Sequence, residues 1–507
     1  MTNVVANIWK HADQRPDAAA LREGDRRWTW EELRAQVSGA AALLRDRGVA
    51  AGDRVLMVVP TSAEFVFAYH GVLALGATAV TVNPVSAPRE LEYFLADAEC
   101  SLAIGWDGAA EALVTAGDSA GVPRWLLAPD AIAPERVPSD IADVGGEETA
   151  VLLYTSGTTG KPKGAVLTHE NLLSCGRMLS EALDTTSDDR MGTALPLFHV
   201  FGQASVMAAV FTVGASLSLL RPFSGRAMLE MAAEHRLTGL AGVPTMWNEM
   251  LHAETELTAD DFADLRLACS GGAALPVEVS KAFHRRFGAW VLDGYGLSET
   301  TGAATFNSLD MPRKEGSVGR ALPGCRLTIL DESQEPLPVG EVGEVAIQGP
   351  VVMREYWNRP DATATVRHGS WFLTGDLGRM DSDGDLFIVD RKKDLVIRGG
   401  YNVYPREVEE VLYGHPDILE AAVIGIPDER LGEEIGVVIA PHEGRAVDAA
   451  DLRAWLEQRL AAYKIPRIYQ VVDALPKGST GKILKRQIDR GDVLATGTRP
   501  SRTAPTR

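Results

Sequence analysis

Extended and helical hydrophobic patterns alternate along the first hundred residues of the chain. Residues 54–60 and 78–83 are short apolar runs typical of buried strands, and residues 62–76 carry a helical pattern between them. Another amphipathic helix is predicted after Thr29, because this residue suits an N-cap and Glu32 stands in the capping-box position. Strands that alternate with helices in this way predict a mostly parallel sheet with helices on both faces.

The pattern changes in the last part of the chain. Residues 405–413 and 447–460 have helical apolar stripes, and residues 418–426 and 435–440 read as strands. This mixture predicts a small domain of the α+β class.

Length and composition limit the classes of function. At 507 residues the chain is too long for one compact core, so several subdomains are expected. With 46% hydrophobic and 23% charged residues, the composition is that of an ordinary globular protein. The net charge of −19 argues against nucleic acid or an anionic membrane as the main partner, although this sum would hide a local basic patch.

Neither disulfide bonds nor a membrane-spanning segment is expected. The four cysteines are far apart without a Cys-x-x-Cys pair, and no signal peptide is recognisable, which indicates reduced thiols in a cytoplasmic protein. Residues 191–220 lack Asp, Glu, Lys and Arg and are long enough for a membrane span. Because Pro196, His199 and Gln203 interrupt this stretch, a buried helix and strand that line a pocket are predicted instead.

A loop rich in glycine and hydroxyl residues follows the apolar segment 150–153. Residues 154–164 read Tyr-Thr-Ser-Gly-Thr-Thr-Gly-Lys-Pro-Lys-Gly. A strand that ends in such a loop offers backbone N–H groups and hydroxyls to a polyphosphate, and Lys161 and Lys163 add positive charge. It is not a Walker loop, because Pro162 stands where that motif requires Ser or Thr. Three glycines in a polar loop would, taken alone, indicate a flexible turn.

Further motifs follow this loop along the chain. They read Leu-Pro-Leu-Phe-His-Val-Phe-Gly at 195–202, Gly-Leu-Ala-Gly-Val-Pro-Thr-Met at 239–246, Ser-Gly-Gly-Ala-Ala-Leu-Pro at 270–276, Asp-Gly-Tyr-Gly-Leu-Ser-Glu-Thr at 293–300, Thr-Gly-Asp at 374–376, Asp-Arg-Lys-Lys-Asp at 390–394, Arg-Gly-Gly-Tyr-Asn at 398–402 and Pro-Lys-Gly-Ser-Thr-Gly-Lys-Ile at 476–483. Singly, most of them are ordinary turns, strand ends or solvated charge runs, and a lone histidine is usually a core or surface residue. Their order as a set resembles the acyl-adenylating superfamily, and within it the acyl-CoA synthetase or fatty acid–CoA ligase branch.

This resemblance spans about residues 25–487 and implies an α/β fold with two parts. A large N-terminal α/β domain of several subdomains covers residues 1–392, and a small mobile C-terminal α+β domain covers residues 393–493. Lys393 would be the hinge between them. Residues 494–507 are expected to form a disordered tail, because Thr, Arg, Pro and Ala dominate this segment. A monomer or homodimer is expected.

The resemblance also implies a site for ATP and Mg²⁺. Tyr295 would stack on adenine, Ser298 would contact a phosphate, and Asp376 and Arg391 would bind the ribose. Mg²⁺ prefers carboxylate and phosphate oxygens, and its candidate ligands are Glu299 and Thr155. The nucleotide-binding candidates are Thr155, Ser156, Gly157, Thr158, Thr159, Gly160, Lys161, Gly271, Gly272, Ala273, Asp293, Gly294, Tyr295, Gly296, Ser298, Asp376, Ile388, Arg391, Lys393 and Lys482.

The implied chemistry has two steps: a carboxylate attacks the α-phosphorus of ATP to give acyl-AMP and pyrophosphate, and a thiol then displaces AMP. Lys482 is the candidate catalytic residue of the first step, because an ammonium between the carboxylate and the α-phosphate stabilises the developing charge. Rotation of the small domain would withdraw it for the second step. His199, Thr155 and Glu299 complete the catalytic candidates. The acyl-binding candidates are His199, Val200, Phe201, Val243, Met246, Gly272 and Gly296, and the CoA-binding candidates are Arg398, Gly399, Gly400 and Tyr401.

The acid itself is predicted from what the acyl segments lack. Amino-acid-activating members carry an Asp that pairs with the α-amine, and no Asp lies between Met191 and Arg221; a buried ammonium without a partner would be costly. Residues 198–220 and 243–247 also lack a basic residue that would meet a second carboxylate, as malonate would require. A medium- or long-chain fatty acid is therefore expected, and an aryl acid such as a cinnamate is the nearest alternative.

Two further alternatives stay open at this point. CoA is the expected acceptor, but the phosphopantetheine arm of an acyl carrier protein presents the same thiol. A protein that only binds nucleotide or acyl groups is less favoured, because Lys161, Glu299, Asp376 and Lys482 are all present.

Overall fold

The computed structural model of the chain describes residues 2–135, 140–155, 161–309, 313–478 and 482–500. Its α-helices are α1 Ala6–Gln14, α2 Trp30–Asp46, α3 Ala63–Ala74, α4 Pro88–Asp97, α5 Ala110–Ala120, α6 His169–Ala182, α7 Ala209–Val213, α8 Gly225–Glu234, α9 Pro244–His252, α10 Val277–Phe287, α11 Pro360–Thr365, α12 Pro405–Tyr413, α13 Ala449–Glu457 and α14 Arg490–Thr496.

The strands lie between these helices along the chain. They are β1 Ala19–Glu23, β2 Arg26–Thr29, β3 Arg54–Val58, β4 Thr78–Thr81, β5 Leu102–Trp106, β6 Arg124–Leu127, β7 Thr149–Thr155, β8 Lys163–Thr168, β9 Arg190–Thr193, β10 Ser216–Leu219, β11 Gly239–Gly242, β12 Leu267–Ser270, β13 Val291–Tyr295, β14 Thr305–Phe306, β15 Arg320–Ala321, β16 Arg326–Leu330, β17 Gly343–Gln348, β18 Arg367–His368, β19 Trp371–Met380, β20 Leu386–Arg391, β21 Val396–Arg398, β22 Tyr401–Val403, β23 Ile418–Asp428, β24 Gly432–Pro441 and β25 Ile468–Val471.

Two of the sheets are mostly parallel, as the alternating pattern predicted. One has six strands in the order β6-β5-β3-β4-β7-β8, and the other has nine in the order β15-β14-β13-β12-β11-β9-β10-β1-β2. From β6 to β7 and from β13 to β1 neighbouring strands run parallel, and antiparallel strands stand at the edges. Parallel strands end on one edge of a sheet, so the loops that follow them come together.

The predicted helix starts of the first hundred residues are confirmed. The Thr29 hydroxyl accepts from the Glu32 N–H at 3.2 Å and the Glu32 carboxylate accepts from the Thr29 N–H at 2.8 Å, which is a complete capping box for α2. The Ser62 hydroxyl caps α3 by accepting from the Phe65 N–H at 3.2 Å, and every residue of α3 is buried. Burial on all sides explains why this helix is apolar around its whole circumference.

The last sheet belongs to a separate, smaller region. A third sheet is antiparallel, with the order β16-β17-β19-β18 and with β20 paired to β19. Strands of these three sheets end by Arg391, whereas the sheet β22-β21-β24-β23, joined by β25, begins at Val396. Its core packs against α12 and α13. A mixed α/β chain with a large N-terminal part and a smaller C-terminal part is thereby confirmed, while the precise boundary between residues 392 and 393 stays a prediction.

The predicted disorder of the tail is wrong for residues 494–500. Helix α14 extends to Thr496, and Thr498 exchanges backbone hydrogen bonds with Tyr469 at 2.7 and 2.9 Å. The Pro500 carbonyl accepts from the Arg453 guanidinium at 3.1 Å. Composition misses such order because Asp489 caps the helix and the buried Val493 anchors it. Residues 501–507 lie outside the described residues.

The uncharged segment 191–220 is buried as predicted. It forms β9, a π-helix over Phe201–Ala208, α7 and β10. Among the described residues, no helix combines the length and apolarity that a membrane crossing requires.

Candidate active site

The candidate residues meet because they follow neighbouring parallel strands. His199 follows β9, Val243 follows β11, Gly271 and Gly272 follow β12, and Tyr295 ends β13. These strands are adjacent in the nine-stranded sheet, so their loops share one edge.

A hydrogen bond and an ion pair join β13 to the antiparallel sheet that contains β19 and β20. The Tyr295 hydroxyl donates to Asp376 Oδ2 at 2.6 Å, and Arg391 Nε lies 3.4 Å from Asp376 Oδ1. Asp376 and Arg391 are cross-strand partners on β19 and β20, which fixes their relative position. Burial, and then the Asp376 charge, raise the pKa of Tyr295, so its hydroxyl remains a donor. A buried carboxylate with free lone pairs can accept hydrogen bonds from a ribose diol.

A second cluster of oxygen atoms surrounds Glu299. The Thr155 hydroxyl lies 3.4 Å from Glu299 Oε1, and the Tyr356 hydroxyl donates to the same oxygen at 2.8 Å. Glu299 is buried, and burial raises the pKa of Tyr356, which keeps the phenol protonated. A buried carboxylate beside a hydroxyl is a donor set that fits Mg²⁺, which completes its shell with phosphate oxygens and water.

Only the two ends of the phosphate loop belong to the described residues. Ser156, Gly157, Thr158, Thr159 and Gly160 lie outside the described residues. Lys161 is exposed, with its Nζ 5.4 Å from the centre of the Tyr93 ring, and Lys163 Nζ lies 5.2 Å from the centre of the Tyr356 ring.

Asp293 provides a third buried carboxyl group, near the loop that contains Gly271 and Gly272. Its Oδ2 accepts from the Leu275 N–H at 3.4 Å, and its Oδ1 has no hydrogen-bond partner among the described residues. Burial raises the pKa of Asp293 to about 7. An unpartnered buried oxygen is costly, and a nucleobase amino group would satisfy it.

The glycines of this region allow close backbone packing. Gly272 has a φ of +79°, and a Cβ at Gly296 would lie 2.5 Å from the Gly302 carbonyl carbon. Substitution would therefore strain the first position and clash at the second. Ala273 and Gly294 lie beside these two glycines, and Ser298 begins the short 3₁₀ turn Ser298–Thr300 that carries Glu299.

His199 is a neutral residue in this environment. The Phe201 N–H lies 3.3 Å from His199 Nδ1, so Nδ1 is the acceptor and the ring proton resides on Nε2. Burial, with a smaller effect of the Lys482 cation, lowers the pKa of His199 to about 4. The side chain can therefore orient a carboxylate through a neutral N–H but supplies no positive charge near pH 7.

The predicted acyl-binding residues form an apolar wall. Val200, Phe201, Val243 and Met246 are all buried. A Cβ on Gly271 would lie 3.4 Å from the Phe201 ring, and one on Gly272 would lie 3.6 Å from Val243 Cγ1. These distances place Phe201 and Val243 against the loop of Gly271 and Gly272.

Lys482 belongs to the small C-terminal region but lies at the same site. It is partly buried, and burial followed by the Arg391 guanidinium lowers its pKa to about 8. Asp376 and Asp394 act in the opposite direction, and Lys393 adds to the lowering. Its ammonium is thus near both the ribose-binding candidates and His199.

The remaining nucleotide candidates are Lys393 and Ile388, and Lys393 is near enough to Lys482 to influence its pKa. Burial, and then Arg391, lower the pKa of Lys393. The carbonyl of Ile388 is already occupied, because it accepts from the Arg406 guanidinium at 2.7 Å.

The predicted CoA-binding loop makes contacts within the C-terminal region. Arg398 is buried, with its Nε 2.7 Å from Glu434 Oε1 and an Nη donating to the Tyr463 carbonyl at 2.8 Å. Gly399 and Gly400 have φ values of +58° and +86°, and 61% of Tyr401 is exposed. Arg398 therefore shapes the loop here, and CoA binding by the loop stays a prediction.

Two residues that contact the site carry no recognisable signal in the sequence. Tyr356 holds the Glu299 carboxylate, and Arg406 reaches the strand that carries Arg391. Both act through contacts between distant parts of the chain, which spacing and periodicity do not reveal.

Comparison with known families gives matches over most of the chain. The model described as AMP-binding enzyme matches residues 8–357, and the model described as AMP-binding enzyme C-terminal domain matches residues 407–482.

Individual relatives match over nearly their whole length. A feruloyl-CoA synthase of an Amycolatopsis species is 38% identical over 496 residues, covering 97% of this chain and 99% of that protein. A long-chain-fatty-acid–CoA ligase of Bacillus subtilis is 34% identical over 514 residues, covering 93% of this chain and 91% of that protein.

A solved structure supports the same likeness. ATP-bound MatB from Rhodopseudomonas palustris has a TM-score of 0.90 at 32% identity and covers 97% of this chain and 99% of that chain. The apo form of MatB has a TM-score of 0.80. The present structure therefore resembles the ATP-bound form more closely than the apo form.

Proposed function

We propose a substrate for this chain, which belongs to the AMP-binding enzyme family and is an acid–thiol ligase that uses ATP, Mg²⁺ and CoA. The acid is an apolar monocarboxylic acid, and a medium- or long-chain fatty acid is the first candidate. The observation that carries this proposal is the buried apolar cluster that contains Val200, Phe201, Val243 and Met246, in which Phe201 and Val243 lie against Gly271 and Gly272. Apolar side chains favour an apolar tail, since burial of each methylene group stabilises the complex by about 0.8 kcal/mol.

The charge at this wall argues against a second carboxylate. His199 is neutral near pH 7 because burial holds its pKa at about 4. Lys482 supplies a cation, but the first carboxylate engages it in the reaction we propose. A dicarboxylic acid would leave a buried charge without a partner, which is strongly unfavourable.

We assign the chemistry of the first step to residues of both regions. Asp376 and Arg391 would orient the ribose, and Tyr295 would support the base. Glu299 and Thr155 would hold Mg²⁺, which would neutralise phosphate charge when bound. The substrate carboxylate attacks the α-phosphorus, and pyrophosphate leaves. The Lys482 ammonium stabilises the negative charge that develops between carboxylate and phosphate. The CoA thiol then displaces AMP and the thioester forms.

An aryl-propenoic acid is the second candidate. Ser270, which precedes Gly271, has a buried Oγ without a hydrogen-bond partner among the described residues. A phenolic or methoxy oxygen on an aromatic tail would pair with this hydroxyl, whereas an alkyl chain would not. The similarity to a feruloyl-CoA synthase agrees with this reading.

A panel of acids tests the proposal. Pyrophosphate release is measured with Mg·ATP and fatty acids of increasing length, ferulate, cinnamate, malonate and amino acids, and mass spectrometry identifies products with and without CoA. We expect CoA-dependent acyl-CoA with fatty acids. Preference for ferulate would select the second candidate, and preference for malonate or an amino acid would refute the apolar acid.

A wall variant adds a structural control to the panel. Val243→Phe places a larger side chain beside Gly272, so we expect the preferred chain length to shorten. Val471→Phe, at a strand position that is 48% exposed, is the matched control and should leave the preference unchanged.

A further inference from the structure

Contacts within the C-terminal region link the turn that carries Lys482 to helix α12. The turn that carries it closes by a hydrogen bond from the Gly478 N–H to the Lys482 carbonyl at 2.8 Å. Three residues further on, Lys485 Nζ lies 2.7 Å from Glu409 Oε1, and both side chains are largely buried. Glu409 lies on α12. The position of Lys482 therefore follows the position of this helix.

Arg406 connects the same helix to the strand that carries Arg391. Its guanidinium donates to the Ile388 carbonyl at 2.7 Å, and its backbone N–H donates to Asp390 Oδ2 at 2.9 Å. Ile388 and Asp390 lie on β20, the neighbour of the strand that carries Asp376. This contact thus relates α12 directly to the ribose-binding candidates.

Glu410 connects α12 to the helix that follows the adenine loop. Its carboxylate lies close enough to Val277, the first residue of α10, for the backbone N–H of Val277 to lower the pKa of Glu410. The N-cap position of α10 is Pro276, which offers no side-chain cap. The first N–H groups of a helix lack partners within the helix, so a carboxylate from the other region of the chain is favourable at this end of α10.

The two side chains also share an electrostatic environment. The Arg406 guanidinium offsets part of the burial-driven rise in the pKa of Asp293 and of Glu410. Asp293 carries the unpartnered oxygen at the base-binding end of the site. The Arg406 guanidinium on α12 therefore lies close enough to Asp293 for its charge to act on that carboxyl group.

We infer that Arg406 and Glu410 are positioning residues that seat Lys482 in the site by docking α12 onto β20 and α10. They do not touch the reacting atoms. Their contacts belong to an arrangement in which Lys482 is near enough to Asp376 and His199 for the charges to interact, so they support acyl-AMP formation. This inference rests on the proposed role of Lys482 in the first step.

The test separates the two half-reactions. Arg406→Ala and Glu410→Ala are assayed for ATP–pyrophosphate exchange and, separately, for thioester formation from synthetic acyl-AMP and CoA. We expect exchange to fall about 10- to 100-fold, the loss typical of a small misplacement of a catalytic group. Thioester formation should stay near the wild-type rate. A general loss of folding would lower both.

Glu407→Ala is the matched control on the same helix. Its carboxylate pairs with Lys464 at 2.5 Å within the small region, so both half-reactions should be unchanged. Glu410→Gln retains an oxygen that can accept from Val277 and should recover part of the exchange rate. Hydrogen exchange of the Val277 amide should become faster in Glu410→Ala, a local effect that Glu407→Ala should not produce.

The following outcomes would overturn the inference or its premise. Equal losses in both half-reactions, or variants at 406 and 410 that behave like Glu407→Ala, refute the positioning role. If Lys482→Ala itself keeps full exchange activity, the proposed function of Lys482 fails. If Lys482→Ala loses exchange while the variants at 406 and 410 do not, only the inference fails.

Discussion

The two halves of the candidate site are held in place by different means. Asp376 is fixed by direct contacts with Tyr295 and Arg391 from neighbouring strand ends. Lys482 reaches the site from the C-terminal region, and its placement depends on contacts of α12 with β20 and α10. The first half therefore comes with the fold of the large region, whereas the second depends on how the two regions dock. Substitutions in the first half should affect every step that uses the nucleotide, and those in the second only one.

Removal of Lys482 should have the largest effect on acyl-AMP formation. Lys482→Ala deletes the ammonium that stabilises charge in the first step, and loss of one such donor costs on the order of 10²–10³ in rate. ATP–pyrophosphate exchange measures this step. Lys477→Ala is the control, because Lys477 lies on the same hairpin but pairs with Glu420 at 2.6 Å. If Lys482→Ala retains the wild-type rate of ATP–pyrophosphate exchange, Lys482 does not act in the first step.

Asp376→Asn should weaken both half-reactions together. The change removes the negative charge that Tyr295 and Arg391 contact. Hydrogen bonds to charged groups contribute about 1.5–3 kcal/mol, so kcat/KM for ATP should fall about 10- to 100-fold. Use of supplied acyl-AMP should fall by a similar factor, since it carries the same ribose. The exposed hairpin variant Asp383→Asn is the control, and a loss confined to one half-reaction would count against the assignment.

Tyr356→Phe should raise the Mg²⁺ requirement without changing the fold. The phenol holds Glu299 Oε1 at 2.8 Å, and loss of a hydrogen bond to a metal-binding carboxylate lowers metal affinity about 10- to 100-fold. Initial rates over a Mg²⁺ titration measure this effect, with Tyr463→Phe as the control. An unchanged Mg²⁺ dependence would argue that Glu299 is not a ligand.

The pH dependence should distinguish the two halves most finely. The first step needs the Lys482 ammonium, and burial lowers the pKa of this residue to about 8. The kcat/KM for acyl-AMP formation should therefore fall as pH rises through about 8, by about tenfold per unit above it. Thioester formation should not show this fall in rate. Titration of His199 should not change either rate between about pH 5 and 9, because its pKa is about 4. In Lys482→Arg the fall in kcat/KM for acyl-AMP formation should occur at a higher pH.

Local signals in the sequence predicted much of the fold. The capping box of α2 and the bounds of α12 followed from short-range patterns, and the parallel order of β3 and β4 followed from strand and helix alternation. Such features depend on neighbours a few residues apart. The order in the tail around Thr498 depends on pairing with Tyr469, which composition could not reveal.

The candidate site divides in the same way. Residues within recognisable motifs, such as Tyr295 and Asp376, could be proposed from the sequence, and the structure brings them together. Tyr356 and Arg406 could not, because each acts across a contact between distant segments. Arg398 shows the reverse limit, since its motif was visible but its engagement with Glu434 was not.

The most direct measurement compares thioester formation from synthetic acyl-AMP and CoA in Lys482→Ala and Asp376→Asn. If the two halves of the site are independent as described, Lys482→Ala will form thioester near the wild-type rate while Asp376→Asn is slowed. If Lys482→Ala is slowed as strongly as Asp376→Asn, the lysine serves both steps and the division of the site is wrong.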